Sequence, residues 1–150
     1  MSKKPAPRKK KKKLDPGLLE AHFAYEAAIN SNNTDLVMAM YDKDAEILQP
    51  DDVIVSGHKN IRKWVDDYFK NFKTHWTKVP LNNFVLGEYG FDEGHDTAVD
   101  TPRKGGKSIY YDCKGILIYK RQENGEWRIF RDIWNNNTKP RKGESPRKGK

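Results

Sequence analysis

Asp132 sits in the stretch Trp127-Arg128-Ile129-Phe130-Arg131-Asp132-Ile133-Trp134, where charged and apolar residues interleave. Alternation along a strand puts it on one face with Arg128, Phe130 and Trp134, and a carboxylate buried among aromatic rings has a raised pKa unless it is paired. Such a group is a candidate general acid or base. The alternative is a structural aspartate, paired with Arg128 or hydrogen-bonded to the backbone. Tyr25 and Tyr41 read either as hydroxyl donors to a ligand or as core residues with satisfied hydroxyls. The other reactive residue types are dispersed. His22, His58, His75 and His95 fall in separate segments with no His-x-x-x-His pair, and Cys113 is the single cysteine, so neither a metal site nor an intrachain disulfide is expected. With no Gly-x-Ser-x-Gly elbow, phosphate-binding glycine loop or dinucleotide fingerprint, no cofactor is expected either.

Charge is concentrated at the two ends. Residues 1–13 carry eight lysines and arginines, and residues 139–150 carry six against Glu144; with a net charge of +8 overall, the stretch between them is left at −5. Neither end has a large apolar residue to offset the entropy of ordering it, apart from the initiating Met1, so residues 1–13 and 139–150 are expected to be disordered tails around one domain at 14–138. Arg8, Lys9, Lys10, Lys11, Lys12 and Lys13, with Arg141, Lys142, Arg147 and Lys148, are candidates for binding nucleic acid or another polyanion. Pro5-Ala6-Pro7-Arg8 and the five lysines after it resemble a nuclear localisation signal. The start lacks the apolar run of a secretory signal, and no stretch approaches the ~18 apolar residues of a membrane span, so the expected compartment is the cytoplasm or nucleus.

The elements that must position these groups are legible in the spacing. Asp15-Pro16 is a helix start, and Leu18, Ala21, His22, Tyr25, Ala28 and Ile29 make an inward face that ends at Ser31-Asn32-Asn33. Thr34 is the expected cap of a short second helix with Leu36, Val37, Met40 and Tyr41 inward. A strand is expected over Ala45–Pro50, with a short partner at Val53–Val55. The chain's strongest helical stripe follows Gly57, at Ile61, Trp64, Val65, Tyr68, Phe69 and Phe72. Period-two patterning then predicts strands near 83–89, 95–101, 107–121 and 126–136, with Pro80 arguing against a central strand before them and Asn124-Gly125 turning the last hairpin. Three helices followed by a meander make an α+β domain.

Several phrases resemble the nuclear transport factor 2-like, or SnoaL-like, superfamily, which includes ketosteroid isomerase, scytalone dehydratase and kinase association domains. They are Tyr25-Glu26-Ala27-Ala28-Ile29-Asn30, Met40-Tyr41-Asp42-Lys43-Asp44-Ala45, Gly57-His58-Lys59-Asn60-Ile61 and the Trp127–Trp134 stretch. The resemblance implies an α+β cone, a curved, mostly antiparallel sheet wrapped around three N-terminal helices. It further implies an open end that holds a small apolar ligand and an outer sheet face that forms a homodimer, or a larger ring as in the kinase association domains. On this pattern Tyr25 is similar to the isomerase's oxyanion tyrosine, and the pocket falls to Tyr25, Tyr41, Gln49, Tyr68, Asp132 and Trp134. The isomerase base, however, is replaced by Gln49, whose amide accepts no proton near neutral pH. The second oxyanion acid would fall between Tyr110 and Lys114, where Asp112 is the only carboxyl. The expected function is therefore a non-catalytic, homodimeric ligand-binding or assembly module, with an isomerase, dehydratase or cyclase using Asp132 and Tyr25 as the alternative.

Overall fold

A computed structural model describes residues 2–6 and 13–143. Of the polyanion-binding candidates, Arg8, Lys9, Lys10, Lys11, Lys12, Arg147 and Lys148 lie outside the described residues. In chain order the elements are α1 (Pro16–Asn30), α2 (Thr34–Met38), β1 (Tyr41–Leu48), β2 (Val55–Ser56), α3 (His58–Asn71), β3 (Phe72–Leu86), β4 (Tyr89–Pro102), β5 (Ile109–Arg121), β6 (Trp127–Asn136) and β7 (Arg141–Lys142). The strands form one curved, unclosed sheet in the order β2-β1-β6-β5-β4-β3, antiparallel except where β1 runs parallel to β6. The helices lie in its concavity, as the cone architecture requires.

The start of α1 is held twice. The Asp15 carboxylate accepts from the Leu18 amide at 3.0 Å, satisfying a donor that no helical carbonyl can reach. Asn83 on β3 clasps the same residue, accepting from the Asp15 amide at 2.6 Å and donating to its carbonyl at 3.3 Å. Leu18 is fully buried against Gly90, where any Cβ would overlap it. Burying such a leucine contributes about 1.5–3 kcal/mol. The core continues through Ala21, Tyr25 and Ala28 of α1, Ile61, Val65 and Phe69 of α3, and Ile47, Leu117, Tyr119 and Ile129 of the sheet.

Several expectations need correction. Asn33, not Thr34, caps α2; the helix ends at Met38, so Val37 and Met38 face inward, Leu36 is 54% exposed, and Tyr41 is buried as the first residue of β1. The partner of β1 is Val55–Ser56 rather than Val53–Val55. The strand placed at 83–89 is split by a turn at Gly87, where φ is +58°, and β3 begins at Phe72. Pro80 does not stop it: β3 is the sheet's edge, where a proline is tolerated, and a bulge at Leu81 interrupts the pairing beside it. Asn124-Gly125 does turn the last hairpin, with Gly125 at φ +84°. The segment assigned to a disordered tail from residue 139 instead supplies β7, whose Arg141 and Lys142 pair with Tyr110 and Ile109 of β5.

The correction with most consequence is in β6. Ile118 pairs with Arg131 and Tyr119 with Ile129, so Phe130 bulges out of register. Strict alternation fails there. Asp132 therefore shares the concave face with Ile129 and Trp134, not with Arg128 and Phe130, and Arg128 reaches the Ala39 carbonyl instead.

Candidate functional site

Between α1, α3 and the concave face lies a cavity of about 350 Å³, whose wall includes Tyr25, Tyr41, Gln49, Tyr68, Asp132 and Trp134. Its floor exists because Gly94 of β4 pairs with Gly115 of β5. A Cβ at Gly115 would meet the Trp134 Cβ at 2.9 Å and collide with the Ile133 carbonyl, so the glycine allows Trp134 to lie flat against β5.

Asp132 is buried on this wall. Its Oδ2 accepts from the Tyr41 hydroxyl at 2.8 Å and the Tyr25 hydroxyl at 3.0 Å, while the two hydroxyl oxygens are 2.7 Å apart. Neither Arg128 nor a backbone donor satisfies it, contrary to the structural alternative. Two hydroxyl protons cannot make all three of these contacts into hydrogen bonds. The three oxygens thus form a ring in which two contacts are hydrogen bonds at any one time. Burial raises the Asp132 pKa, against the opposing charge of Lys78 and the hydrogen bonds from Tyr41 and Tyr25. Burial, with the negative charge of Asp132, drives both tyrosines well above their ordinary pKa, so they remain donors.

Sequence reasoning missed most of the polar groups around this ring. Asp92, Asp96 and Asp100, spaced by four along β4, all turn inward and are buried. Asp92 Oδ2 lies 2.7 Å from His22 Nδ1, and His22 Nε2 lies 2.9 Å from the Lys78 carbonyl. A carbonyl only accepts, so Nε2 carries a proton. Burial would lower the His22 pKa, yet the hydrogen bonds to Asp92 and the Lys78 carbonyl, with the Asp92 charge, leave it raised. Lys78 Nζ donates to Asp96 Oδ2 at 2.9 Å. Asp100 Oδ1 accepts from Thr74 at 2.6 Å and from Tyr68, and burial raises its pKa despite both bonds. The only available signal was the repeated Asp-x-x-x-Asp spacing, which on a strand puts all three on one face.

Other candidates lie elsewhere. Gln49 lines the cavity and its amide donates to the Val53 carbonyl at 3.4 Å. Asp112 is outside, 2.7 Å from His95 and bonded by Asn137, so it is not a second acid in the cavity. Cys113 is buried, and burial pushes its thiol up to about 11. Among the described residues no group of three or more His, Cys, Asp or Glu side chains is placed to hold a metal ion, and no helix is long and apolar enough to cross a membrane. Lys13, Arg141 and Lys142 are exposed. On the convex side Phe84 stacks on Phe91 at 4.8 Å and Tyr89 packs on Phe130 at 5.7 Å, with Val79 and Leu86 exposed beside them.

No protein-family model matches the sequence, and no curated protein is similar to it. Solved structures are similar in fold. A ketosteroid isomerase-like protein from Erwinia carotovora atroseptica superposes with a TM-score of 0.74 at 15% identity, covering 81% of this chain and 95% of that one. A type 2 hexachlorocyclohexane dehydrochlorinase gives 0.72 at 14% identity, covering 88% and 93%. A nuclear transport factor 2-like superfamily protein from Salmonella enterica serovar Typhimurium gives 0.72 at 16% identity, covering 81% and 89%.

Proposed function

For this chain, which has the nuclear transport factor 2-like fold, we propose a small-molecule-binding module that works as a homodimer and is tethered to polyanions by its basic ends. The carrying observation is the cavity of about 350 Å³, walled by aromatic rings, into which Asp132 presents a carboxylate whose Oδ1 takes no hydrogen bond among the described residues. A concave apolar site with a few convergent polar groups is what small ligands require. Binding needs no catalytic step here: both His22 nitrogens are engaged, Lys78 is paired, and Gln49 is an amide. The exposed aromatic cluster around Phe84 and Phe91 supports a dimer through the convex face. Lys13, Arg141 and Lys142, together with the lysines and arginines beyond the described residues, support attachment to nucleic acid or another polyanion.

One observation favours a second reading. Asp132 has a raised pKa and an oxygen open to the cavity, which suits a general acid or base in an isomerisation, dehydration or cyclisation, with Tyr25 and Tyr41 stabilising its anion. Titration of the full chain with a fragment library, followed by tryptophan fluorescence and NMR, tests both readings. Saturable binding that Asp132→Asn and Trp134→Ala weaken is the expected result. Binding that neither substitution alters would remove the cavity from the proposal, whereas turnover abolished by Asp132→Asn with binding retained would establish the enzymatic reading.

A further inference from the structure

We infer that the cavity selects a small organic cation, an amine or quaternary ammonium on a short apolar body. This rests on the reading of the cavity as a small-molecule site and adds the chemical class of its ligand. Lys78 already shows the recipe at work. Its Nζ lies 2.9 Å from Asp96 Oδ2, 5.5 Å from the centre of the Tyr25 ring and 5.7 Å from that of Trp76. One ammonium is thus held between a carboxylate and two aromatic rings at the cavity wall.

Another part of the wall has the same ingredients without a cation. Trp64 stacks on Tyr68 at 5.7 Å and meets Trp134 edge-on at 6.4 Å, and all three rings line the cavity. Asp100 is joined to Tyr68 by a hydrogen bond, and Asp132 lies two residues from Trp134 on the concave face. Both carboxylates are more than nine-tenths buried, and each uses a single oxygen: Asp100 Oδ1 takes Tyr68 and Thr74, and Asp132 Oδ2 takes Tyr25 and Tyr41. Asp100 Oδ2 and Asp132 Oδ1 receive no donor among the described residues.

Charge matching points the same way. The cavity's two buried basic side chains are each engaged, His22 by Asp92 and Lys78 by Asp96, and neither makes a hydrogen bond or ion pair with Asp100 or Asp132. An anionic ligand would meet two unmatched carboxylates, and a neutral one would leave them in a drier, more costly environment. An ammonium is balanced by them, and tryptophan faces are the best aromatic partners for a cation. The aromatic walls take the apolar body.

The test uses the full-length protein and three probes of similar shape: benzyltrimethylammonium, its uncharged carbon isostere neopentylbenzene, and the anion phenylacetate. Titrations are read by calorimetry and by quenching of tryptophan fluorescence. Benzyltrimethylammonium should bind at least about tenfold more tightly than neopentylbenzene, a ratio within reach of desolvated cation–π and carboxylate contacts, and phenylacetate should bind weakest. Asp100→Asn and Asp132→Asn should each reduce the cation's affinity several-fold and leave that of neopentylbenzene unchanged or improved. Far-ultraviolet circular dichroism confirms that both variants are folded, and Trp64→Phe, which keeps a ring of lower cation affinity, provides a milder second variant. If neopentylbenzene binds as tightly as the cation and neither asparagine variant changes the ratio, charge selection is overturned while the small-molecule site stands. If none of the three probes binds, both readings fall.

Discussion

The two faces of the sheet invert the usual distribution of polarity. Its concave side buries four aspartates, a lysine and a histidine, whereas its convex side leaves Phe84, Leu86, Tyr89 and Val79 at least a third exposed. Stability alone would favour the opposite arrangement, since buried charges cost free energy even when paired and exposed rings gain nothing from water. The concave face meets that cost group by group, with His22 on Asp92, Lys78 on Asp96, and tyrosine or threonine hydroxyls on Asp100 and Asp132. The convex face has no such internal compensation. A polar interior in which each of these aspartates is held by one oxygen while Asp92 Oδ1 and Asp96 Oδ1 stay buried without a donor indicates a site, and an apolar exterior without cover indicates an interface.

The contrast can be broken from the inside first. Asp92→Ala would leave the buried His22 Nδ1 without its partner and should destabilise the fold by about 2–3 kcal/mol in urea unfolding, the cost of stranding a buried hydrogen-bonding group. A loss below ~1 kcal/mol would mean that the pair is solvated and the interior not truly polar. From the outside, Phe91→Asp should convert dimer to monomer in sedimentation, costing about 2 kcal/mol or more of association free energy while leaving urea unfolding of the monomer close to normal. A mass that never exceeds the monomer in the unsubstituted chain would leave the convex face without its proposed cover.

Proton linkage sharpens the comparison further. Asp132, Asp100 and His22 all have folded-state pKa values above their ordinary ones, so the folded state binds the extra proton and stability falls as pH rises through each window. For the two aspartates the window opens just above the ordinary carboxylate range, and for His22 just above its ordinary value near 6.5. Each group contributes a slope of at most about 1.4 kcal/mol per pH unit. Asp132→Asn should flatten the lower window and spare the upper one, and stability curves recorded from pH 4 to 9 decide it. Asp42 and Asp112, whose pKa values are lowered by hydrogen bonds despite some burial, act oppositely and only in acid. The smallest effect on stability should come from removing residues 1–12 and 144–150: the melting temperature should stay within a degree or two, while duplex DNA binding, with a salt slope near −5 for roughly six phosphates, is largely lost. Retained binding would assign the polyanion contact to the body.

How much of this was legible follows the range of the interactions. Local signals carried α1, α3 and the last hairpin: the Asp15 cap, the stripe from Ile61 to Phe72, and Gly125 at positive φ. Tyr25, Tyr41 and Asp132 were nameable singly, but not as one ring, because Tyr25 and Tyr41 are 107 and 91 residues from Asp132. The aspartates of β4 were missed because a strand with charge on one side and Phe91, Val99 and threonines on the other normally shows its charged side to water. The bulge at Phe130 has no proline or glycine to announce it, and it alone moved Asp132 away from Arg128.

The parallel pairing of β1 with β6 has a consequence for the order of events during folding. Ile47 and Leu48 sit beside Asp132 and Ile133, so the sheet's middle is closed by strands from opposite ends of the domain. Contacts of such long sequence separation form only after their loop-closure entropy has been overcome, which slows folding and defers these contacts to late synthesis. A nascent chain that has emerged only through β5 holds Tyr25 and Tyr41 but no Asp132, with one side of β1 unpaired. The carboxylate at the heart of the cavity arrives with the strand that joins β1 to β5, so the polar ring forms only once the two halves of the sheet are bridged.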